Sequence, residues 1–377
     1  MDEVSLLEEL LKIYSPTGGE AEAVGYLVAQ MKAMGYETSI DEAGNAVGVI
    51  EGPAIAGATR SHEAIRPHEI MLLGHIDTVP GFIEVKREGD PSASSGQILR
   101  GRGAVDAKGP LACFVAAGAL AGKIPGRRIT VIGAVGEEGD SRGAKFILKS
   151  RLPSRVPSRV QRAPTMLIIG EPSGWDKVTL GYKGSAWFEF TAERALAHTA
   201  AQVESACEAA IGFWNRLTAR AADLNADKPK MFDQLLPTLR EMNSRSDGFV
   251  ESARLRFGLR LPPGLSVGQL SGMIDELAAG DRVEFIDGVP AYRAEKNTPL
   301  VRAFLSAIRA EGGDPGFTVK SGTSDMNLVA PAWNCPAAAY GPGDSALDHT
   351  PDEHIFISEY QRAVRVLARV LDSFGNK

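Results

Sequence analysis

The chain has 377 residues, 44% of them hydrophobic and 23% charged, with a net charge of -6 and a pI near 5.7. This is the composition of a soluble globular protein, and it excludes a general binder of nucleic acid or of anionic membranes, which would carry a basic excess. The length exceeds what one hydrophobic core usually carries, so two domains are expected. Cys113, Cys207 and Cys335 are too few and too scattered for a disulfide framework or a thiolate metal site, which points to a reducing cytoplasm. Each reads as a small buried apolar residue. The opening Met1-Asp2-Glu3-Val4 lacks the basic and apolar regions of an export signal, and no stretch is apolar enough to span a membrane.

Leu6, Leu7, Leu10 and Leu11 form an apolar stripe, so residues 4–14 are expected as an amphipathic helix, broken by Ser15-Pro16-Thr17-Gly18-Gly19. A second helix over residues 20–34 carries Val24, Leu27, Val28 and Met31 on one face. Strands follow near 37–40 and 46–50, then a polar, turn-rich loop over 52–67. Glu69-Ile70-Met71-Leu72-Leu73 reads as a buried strand, with His75 and Asp77 just beyond it and a turn closed by Pro80. The glycine-rich run Gly101-Arg102-Gly103-Ala104-Val105-Asp106-Ala107-Lys108-Gly109 precedes a helix reaching about residue 121. A β-branched strand over 128–135 ends in Gly136-Glu137-Glu138-Gly139, a helix follows over 141–149, and a strand over 165–169 ends in Gly170-Glu171-Pro172-Ser173. This alternation implies an α/β fold with a mostly parallel, helix-covered sheet.

The pattern changes near residue 181. An alternating strand over 187–191 leads to a long helix over 200–221, then to strands at 254–261 and 282–286 flanking a helix at 270–277. This α+β stretch, 182–290, reads as a second domain inserted between 1–181 and 291–377, which together form the first. The α/β pattern resumes with a helix over 298–310, a strand at 337–340 and an amphipathic helix from 358.

His75, Asp77, Asp106, Glu137, Glu138, Glu171 and His349 all follow an apolar strand or sit on a Gly/Pro turn. Open α/β sheets bind ligands where such strand ends gather, so loops off one sheet edge can bring these residues together. Two histidines with several carboxylates and no thiolate suit zinc, cobalt or manganese used catalytically. His75 and His349 can give one imidazole to each of two metals, Asp77 can accept the other ring N–H of His75, and Asp106 can bridge. Glu137 and Glu138 are adjacent and are expected to point apart, one toward metal and the other toward the attacking water.

Each pattern alone has a plainer reading. Strand ends are often polar, Glu137-Glu138 also suits the N-terminus of a helix, and Glu171-Pro172 suits a solvated turn. Gly101-Arg102-Gly103 is no dinucleotide loop, because Asp106 stands where a third glycine is needed. His62-Glu63 opens like a zincin helix, yet Arg66 replaces the second histidine and Pro67 follows, so His62 and His68 read as exposed loop residues. His354 reads as a surface residue at a helix start. No Gly-x-Ser-x-Gly elbow supports a serine hydrolase.

Taken in order, Gly74-His75-Ile76-Asp77-Thr78-Val79, Gly103-Ala104-Val105-Asp106-Ala107-Lys108-Gly109, Gly136-Glu137-Glu138-Gly139, Gly170-Glu171-Pro172 and Asp348-His349-Thr350 resemble the dinuclear zinc aminoacylase/carboxypeptidase superfamily over nearly the whole chain. The resemblance implies that His75, Asp106 and Glu171 hold one zinc and Asp106, Glu138 and His349 the other. It implies Glu137 as general base, Asp77 as the orienting carboxylate and a cis peptide between Asp106 and Ala107. It also implies a homodimer formed through the inserted domain, with His198 reaching the neighbouring subunit's site to stabilise the oxyanion.

Ser321-Gly322-Thr323-Ser324-Asp325-Met326-Asn327 and Tyr340-Gly341-Pro342-Gly343-Asp344-Ser345 further resemble the lysine-biosynthesis hydrolases that free lysine or ornithine from an acidic amino-group carrier protein. On that resemblance Lys183, Arg260, Gly322 and Thr323 are candidates to hold substrate carboxylates. A net charge of -6 gives no global attraction to an acidic carrier, so a local basic patch is needed, and Arg151, Arg155, Arg159 and Arg162 offer one. Two other readings stay open: a deacylase of N-acetyl-lysine, N-acetylornithine or succinyl-diaminopimelate, and a non-catalytic metal-binding scaffold.

Overall fold

The structure, a computed structural model, describes residues 2–54, 68–89, 96–151 and 163–374. His62, Arg155, Arg159 and Arg162 lie outside the described residues. The chain divides into two compact units: Met1–Leu180, Ala294–Thr318 and Leu328–Lys377 form the first, Gly181–Arg293 and Val319–Asn327 the second. The second unit thus takes in a short segment well beyond the stretch whose patterning changes.

In chain order the elements are α1 (Glu3–Lys12), α2 (Ala21–Ala33), β1 (Glu37–Ile40), β2 (Ala46–Glu51), β3 (His68–His75), β4 (Lys86–Glu88), β5 (Ile98–Arg100) and α3 (Lys108–Ala121). Then come β6 (Arg127–Ala134), α4 (Arg142–Arg151), β7 (Met166–Gly170) and β8 (Lys177–Tyr182). The second unit carries β9 (Gly184–Ala195), α5 (Ala206–Asn225), β10 (Leu236–Ser246), β11 (Val250–Leu261), α6 (Val267–Ala278), β12 (Arg282–Val289) and β13 (Tyr292–Arg293). The remainder is α7 (Pro299–Ala310), β14 (Gly316–Lys320), α8 (Met326–Trp333), β15 (Ala337–Ala339), β16 (His354–Phe356) and α9 (Ile357–Asp372).

In the first unit the main sheet runs β1-β2-β6-β3-β7-β15-β8. The strands β6, β3, β7 and β15 are parallel, as the strand–helix alternation predicts, while β1, β2 and β8 pair antiparallel at the flanks. The sheet is therefore mixed, because β1–β2 and β8 are joined to their neighbours by routes that the apolar runs do not reveal. Ile70, Met71, Leu72 and Leu73 of β3 are at most 1% exposed, the burial expected of a central parallel strand covered on both faces. Helix α3 is buried along nearly its whole length. Gly109 makes this possible at the site: a Cβ there would lie 2.1 Å from the carbonyl oxygen of Ala104. A separate three-stranded sheet, β16-β5-β4, has Arg100 paired with His354 and Ile98 with Phe356. His354 is thus the first residue of a strand and not of a helix, its Nδ1 2.6 Å from the carbonyl oxygen of Asp352. His68 is exposed as expected, but at the start of β3.

In the second unit β10-β11-β9-β12 form an antiparallel sheet with α5 and α6 on one face. Phe188, Phe190 and Phe257 face Phe213 of α5, and the rings of Phe190 and Phe213 stack at 4.3 Å. Helix α5 starts at Ala206, later than the apolar periodicity suggests. Ser205 and Glu208 form a capping box there, satisfying the first free N–H groups and setting the start.

Candidate metal centre

The carboxyl ends of β3, β6 and β7, with the loops before α3 and β16, bring the expected acidic and imidazole residues together. His75 ends β3, and its Nε2 lies 3.1 Å from Asp106 Oδ1. Its Nδ1 faces the main-chain oxygen of Asp77 at 3.0 Å and the Asp77 carboxylate at 3.6 Å. Both are acceptors, so Nδ1 donates to them and Nε2, which faces Asp106, is the nitrogen placed to ligate a cation. Asp106 follows a glycine-rich turn, and the Asp106–Ala107 peptide is cis. His349, in the left-handed region with φ 62°, places Nε2 2.9 Å from Glu138 Oε1 and 3.0 Å from Asp106 Oδ2.

Asp77 does more than orient a ring. Its Oδ1 accepts the N–H of Glu137 at 3.1 Å, and its Oδ2 accepts the N–H of Glu138 at 3.1 Å and the Thr17 hydroxyl at 2.8 Å. One buried carboxylate therefore pins the turn that carries both glutamates, a turn opened by Gly136 at φ 77°. Glu137 and Glu138 each bring an oxygen within 4.8 Å of the other and of His75. Among the described residues two further groupings meet the same spacing, His75 with Asp106 and Glu171, and Asp106 with Glu138 and His349.

The electrostatics follow from this crowding. Burial opposes a charged His75, but its contacts with Asp106 and Asp77 and the nearby Glu137 charge outweigh it and hold the imidazole well above its ordinary pKa. Contacts with Asp106 and Glu138 lift His349 to about 10. Partial burial opposes a charged Asp106, yet His349 and His75 hold it far below the usual carboxylate range. Glu171 is pushed well up by burial first and then by the charges of Asp106 and Glu137. A surplus of carboxylates that only two imidazoles offset is a donor set that fits divalent cations.

Residues missed by the sequence reading organise the same loops. Glu353 is fully buried and accepts the N–H groups of Gly103, Val105 and Asp106 at 2.9–3.0 Å. Glu359 accepts from Trp175 and Gly343, and the Ser173 hydroxyl bridges to Gly341, which ties the Glu171 loop to the segment after β15. The only local signal for Glu353 is an acidic residue in the turn just past His349.

In the second unit His198 is exposed, and its Nδ1 accepts the Ala200 N–H at 3.2 Å, which leaves the proton on Nε2. Arg260 is half-buried and donates to Thr323 Oγ1 at 3.2 Å; among the described residues no carboxylate pairs with it. Burial, then repulsion from Arg240, lowers its pKa. Gly322 has open space where a side chain would stand. Lys183 departs from its expected use. It is fully buried, and its Nζ donates to the carbonyls of Met231 (3.1 Å), Phe232 (3.0 Å) and Gln234. Three N–H donors meet three carbonyls, so none remains for a substrate carboxylate. Arg151, expected in a basic patch, pairs with Glu69 at 3.0 Å.

The pattern that defines Peptidase family M20/M25/M40 matches residues 71–373. The chain belongs to this family. A relative named [LysW]-lysine hydrolase, from Deinococcus radiodurans, is 39% identical over 97% of this chain and 95% of its own. Another, named [LysW]-lysine/[LysW]-ornithine hydrolase, from Saccharolobus islandicus, is 26% identical over 99% and 96%. The fold is that of a tripeptidase from Staphylococcus aureus (TM-score 0.73, 18% identity, 100% and 98% covered) and of an M20 family metallo-carboxypeptidase from Sulfolobus solfataricus (0.71, 17%, 99% and 99%). Family M20/M25/M40 enzymes are metal-dependent hydrolases, and the three groupings are where this member has the donors for a metal.

Proposed function

We propose that the chain is a dinuclear metallohydrolase that releases lysine, with ornithine as a second product, from the C-terminal glutamate of an acidic amino-group carrier protein in lysine and arginine biosynthesis. The observation that carries this reading is the near-full-length relationship to [LysW]-lysine hydrolase. Convergence of His75, Asp106, Glu138, Glu171 and His349 supports it with a donor set for two cations. His75, Asp106 and Glu171 would hold one ion and Asp106, Glu138 and His349 the other. Zinc suits these donors, with cobalt or manganese as substitutes. Bound there, the ions supply Lewis acidity to the scissile carbonyl and to the attacking water.

The remaining work falls to side chains. Glu137, held by the Asp77 contact to its N–H, takes a proton from water as the water oxygen adds to the amide carbon. It returns that proton to the amine nitrogen as the C–N bond breaks, and the water's second proton passes from the new carboxyl group to the amine, leaving a carboxylate on the carrier and an ammonium group on the product. His198, with its Nε2–H directed away from its own turn, stabilises the developing oxyanion in the neighbouring subunit. Arg260, Gly322 and Thr323 receive the product's carboxylate, a use that fits a half-buried guanidinium whose described neighbours include no paired carboxylate.

Catalysis is assigned to the first unit, near the expected 1–181 and 291–377 but without Val319–Asn327, and dimerisation to the second, built on the expected 182–290. The edge strand β12 supports that interface: Phe285 is 49% and Ile286 46% exposed on a strand that, among the described residues, pairs on one side only. The enzyme works in the cytoplasm, a setting that keeps Cys113, Cys207 and Cys335 as the free thiols they are. Among the described residues no helix is long and apolar enough to cross a membrane.

The test is a direct comparison of substrates on the purified, zinc-loaded enzyme. Carrier-linked lysine is expected to be cleaved with kcat/KM about 100-fold above that for N-acetyl-lysine, N-acetylornithine or succinyl-diaminopimelate, a difference of roughly 2.7 kcal/mol in transition-state binding. Equal or better cleavage of any of the free amides makes the enzyme a small-molecule deacylase and overturns the carrier reading.

A further inference from the structure

The small sheet formed by β16, β5 and β4 has no evident part in the chemistry, yet its register places one residue in the middle of the site. Arg100 pairs with His354, so the residue just before β16, Glu353, lies against the start of the glycine-rich loop. The N–H of Gly101 donates to the Glu353 carbonyl at 3.2 Å. From there the Glu353 carboxylate reaches into the loop. Its Oε1 accepts three main-chain N–H groups, from Gly103 (3.0 Å), Val105 (2.9 Å) and Asp106 (3.0 Å). Its Oε2 accepts Arg102 Nη1 at 2.9 Å. The same Nη1 donates to the carbonyl of Thr350 at 3.1 Å, and Arg102 Nε donates to Gly81 O at 3.0 Å.

We propose that Glu353, acting with Arg102, is a positioning residue that joins the bridging aspartate to the outer histidine. One oxygen of Glu353 sets the backbone of Asp106. The other, through Arg102, holds the carbonyl next to His349. Both ends of the 349–353 loop are thereby tied to the Asp106 loop, and the 3.0 Å approach of His349 Nε2 to Asp106 Oδ2 depends on that double tie.

A buried arginine–glutamate pair is seldom favourable for stability alone, since desolvation offsets most of the attraction. Here every atom of the pair that the structure connects leads to a loop bearing a proposed ligand or to the turn after β3. His75, by contrast, is fixed by β3 and by the Asp77 carbonyl and does not touch the pair. Loss of the pair therefore weakens the cation held by Asp106, Glu138 and His349 more than the one held by His75, Asp106 and Glu171.

The inference rests on the two-cation reading of the site, and the experiment separates the two. Full-length protein stripped with a chelator is titrated with Co2+, following its visible d–d absorption and the heat of binding, for wild type, Glu353→Gln and Arg102→Gln. Circular dichroism confirms the fold. The Glu353→Gln side chain keeps an oxygen for the loop amides but turns an NH2 toward Arg102, whereas Arg102→Gln loses the tie to Thr350.

Wild type is expected to bind two ions. Each variant is expected to bind one within about threefold of wild type and the other about 30-fold more weakly, the range seen when groups behind a ligand are removed. Their hydrolytic rate should recover as Co2+ is raised. Two ions bound with wild-type affinity in the variants, or equal weakening of both ions, overturns the inference. If Glu353→Gln does not fold, Arg102→Gln decides by the same measurement, and failure of both to fold makes the pair a general structural element and overturns it too. A wild type that binds fewer than two ions defeats the two-cation reading instead.

Discussion

His75 and His349 meet the same aspartate from opposite surroundings. The His75 side chain is 2% exposed, at the end of a strand flanked on both sides by parallel neighbours. The His349 side chain is 49% exposed, on a loop residue at φ 62°, and it is held by the carboxylates of Asp106 and Glu138. The inner wall of the site is thus set by the sheet and by main-chain contacts. The outer wall is set by side chains reaching across loops. A ligand fixed by backbone keeps its place when the metal leaves, whereas one fixed by its partners depends on them. The first kind of wall should bind its ion tightly and the second should exchange it.

The largest test of this contrast removes the group that serves both walls. Glu137→Gln should lower turnover by about 10^3-fold, within the range for loss of a general base, while both metals stay bound. Near wild-type turnover with full metal content would remove Glu137 from that role and leave the two walls without a shared reactant.

Next in size is the pair of histidine variants. His75→Ala should lose activity by more than about 100-fold with no recovery in millimolar Co2+, because its nitrogen is supplied by a buried strand end that nothing else can reach. His349→Ala should regain about tenfold of its lost activity under the same conditions, since water can take the place of a ligand on an exposed loop. Equal rescue of the two, measured as rate against added Co2+, would abolish the distinction.

The smallest effect on catalysis is expected away from both walls. Lys183→Met leaves three buried carbonyls without a donor and should cost about 3 kcal/mol of stability, read from denaturant unfolding. KM for the carrier-linked substrate should stay within about twofold, since Lys183 has no donor to offer it. A several-fold rise in KM without loss of stability would return Lys183 to the substrate site.

Much of this could be read without coordinates, and the residues show why. Leu6, Leu7, Leu10 and Leu11 lie on the buried face of α1, and the apolar run of β3 is a central strand, because periodicity and uninterrupted hydrophobicity report burial locally. The strand-end positions of His75, Glu137 and Glu171 follow from where those runs stop. Their convergence needs only a parallel sheet whose carboxyl ends face one way.

Other features had no local signal. The three-residue strands β5 and β16 are too short to show a period, so the register that brings Glu353 to Asp106 across 247 positions is a property of the folded chain alone. The turn carrying Glu137 and Glu138 is held because the carboxylate of Asp77, sixty residues earlier, grips both of their amides. Lys183 turns inward because three carbonyls await it at Met231, Phe232 and Gln234. Which residues stand at the strand ends is therefore written in the chain, since burial and turns leave a local pattern. How those ends are held emerges in the fold, since a side chain that grips main chain far away leaves none.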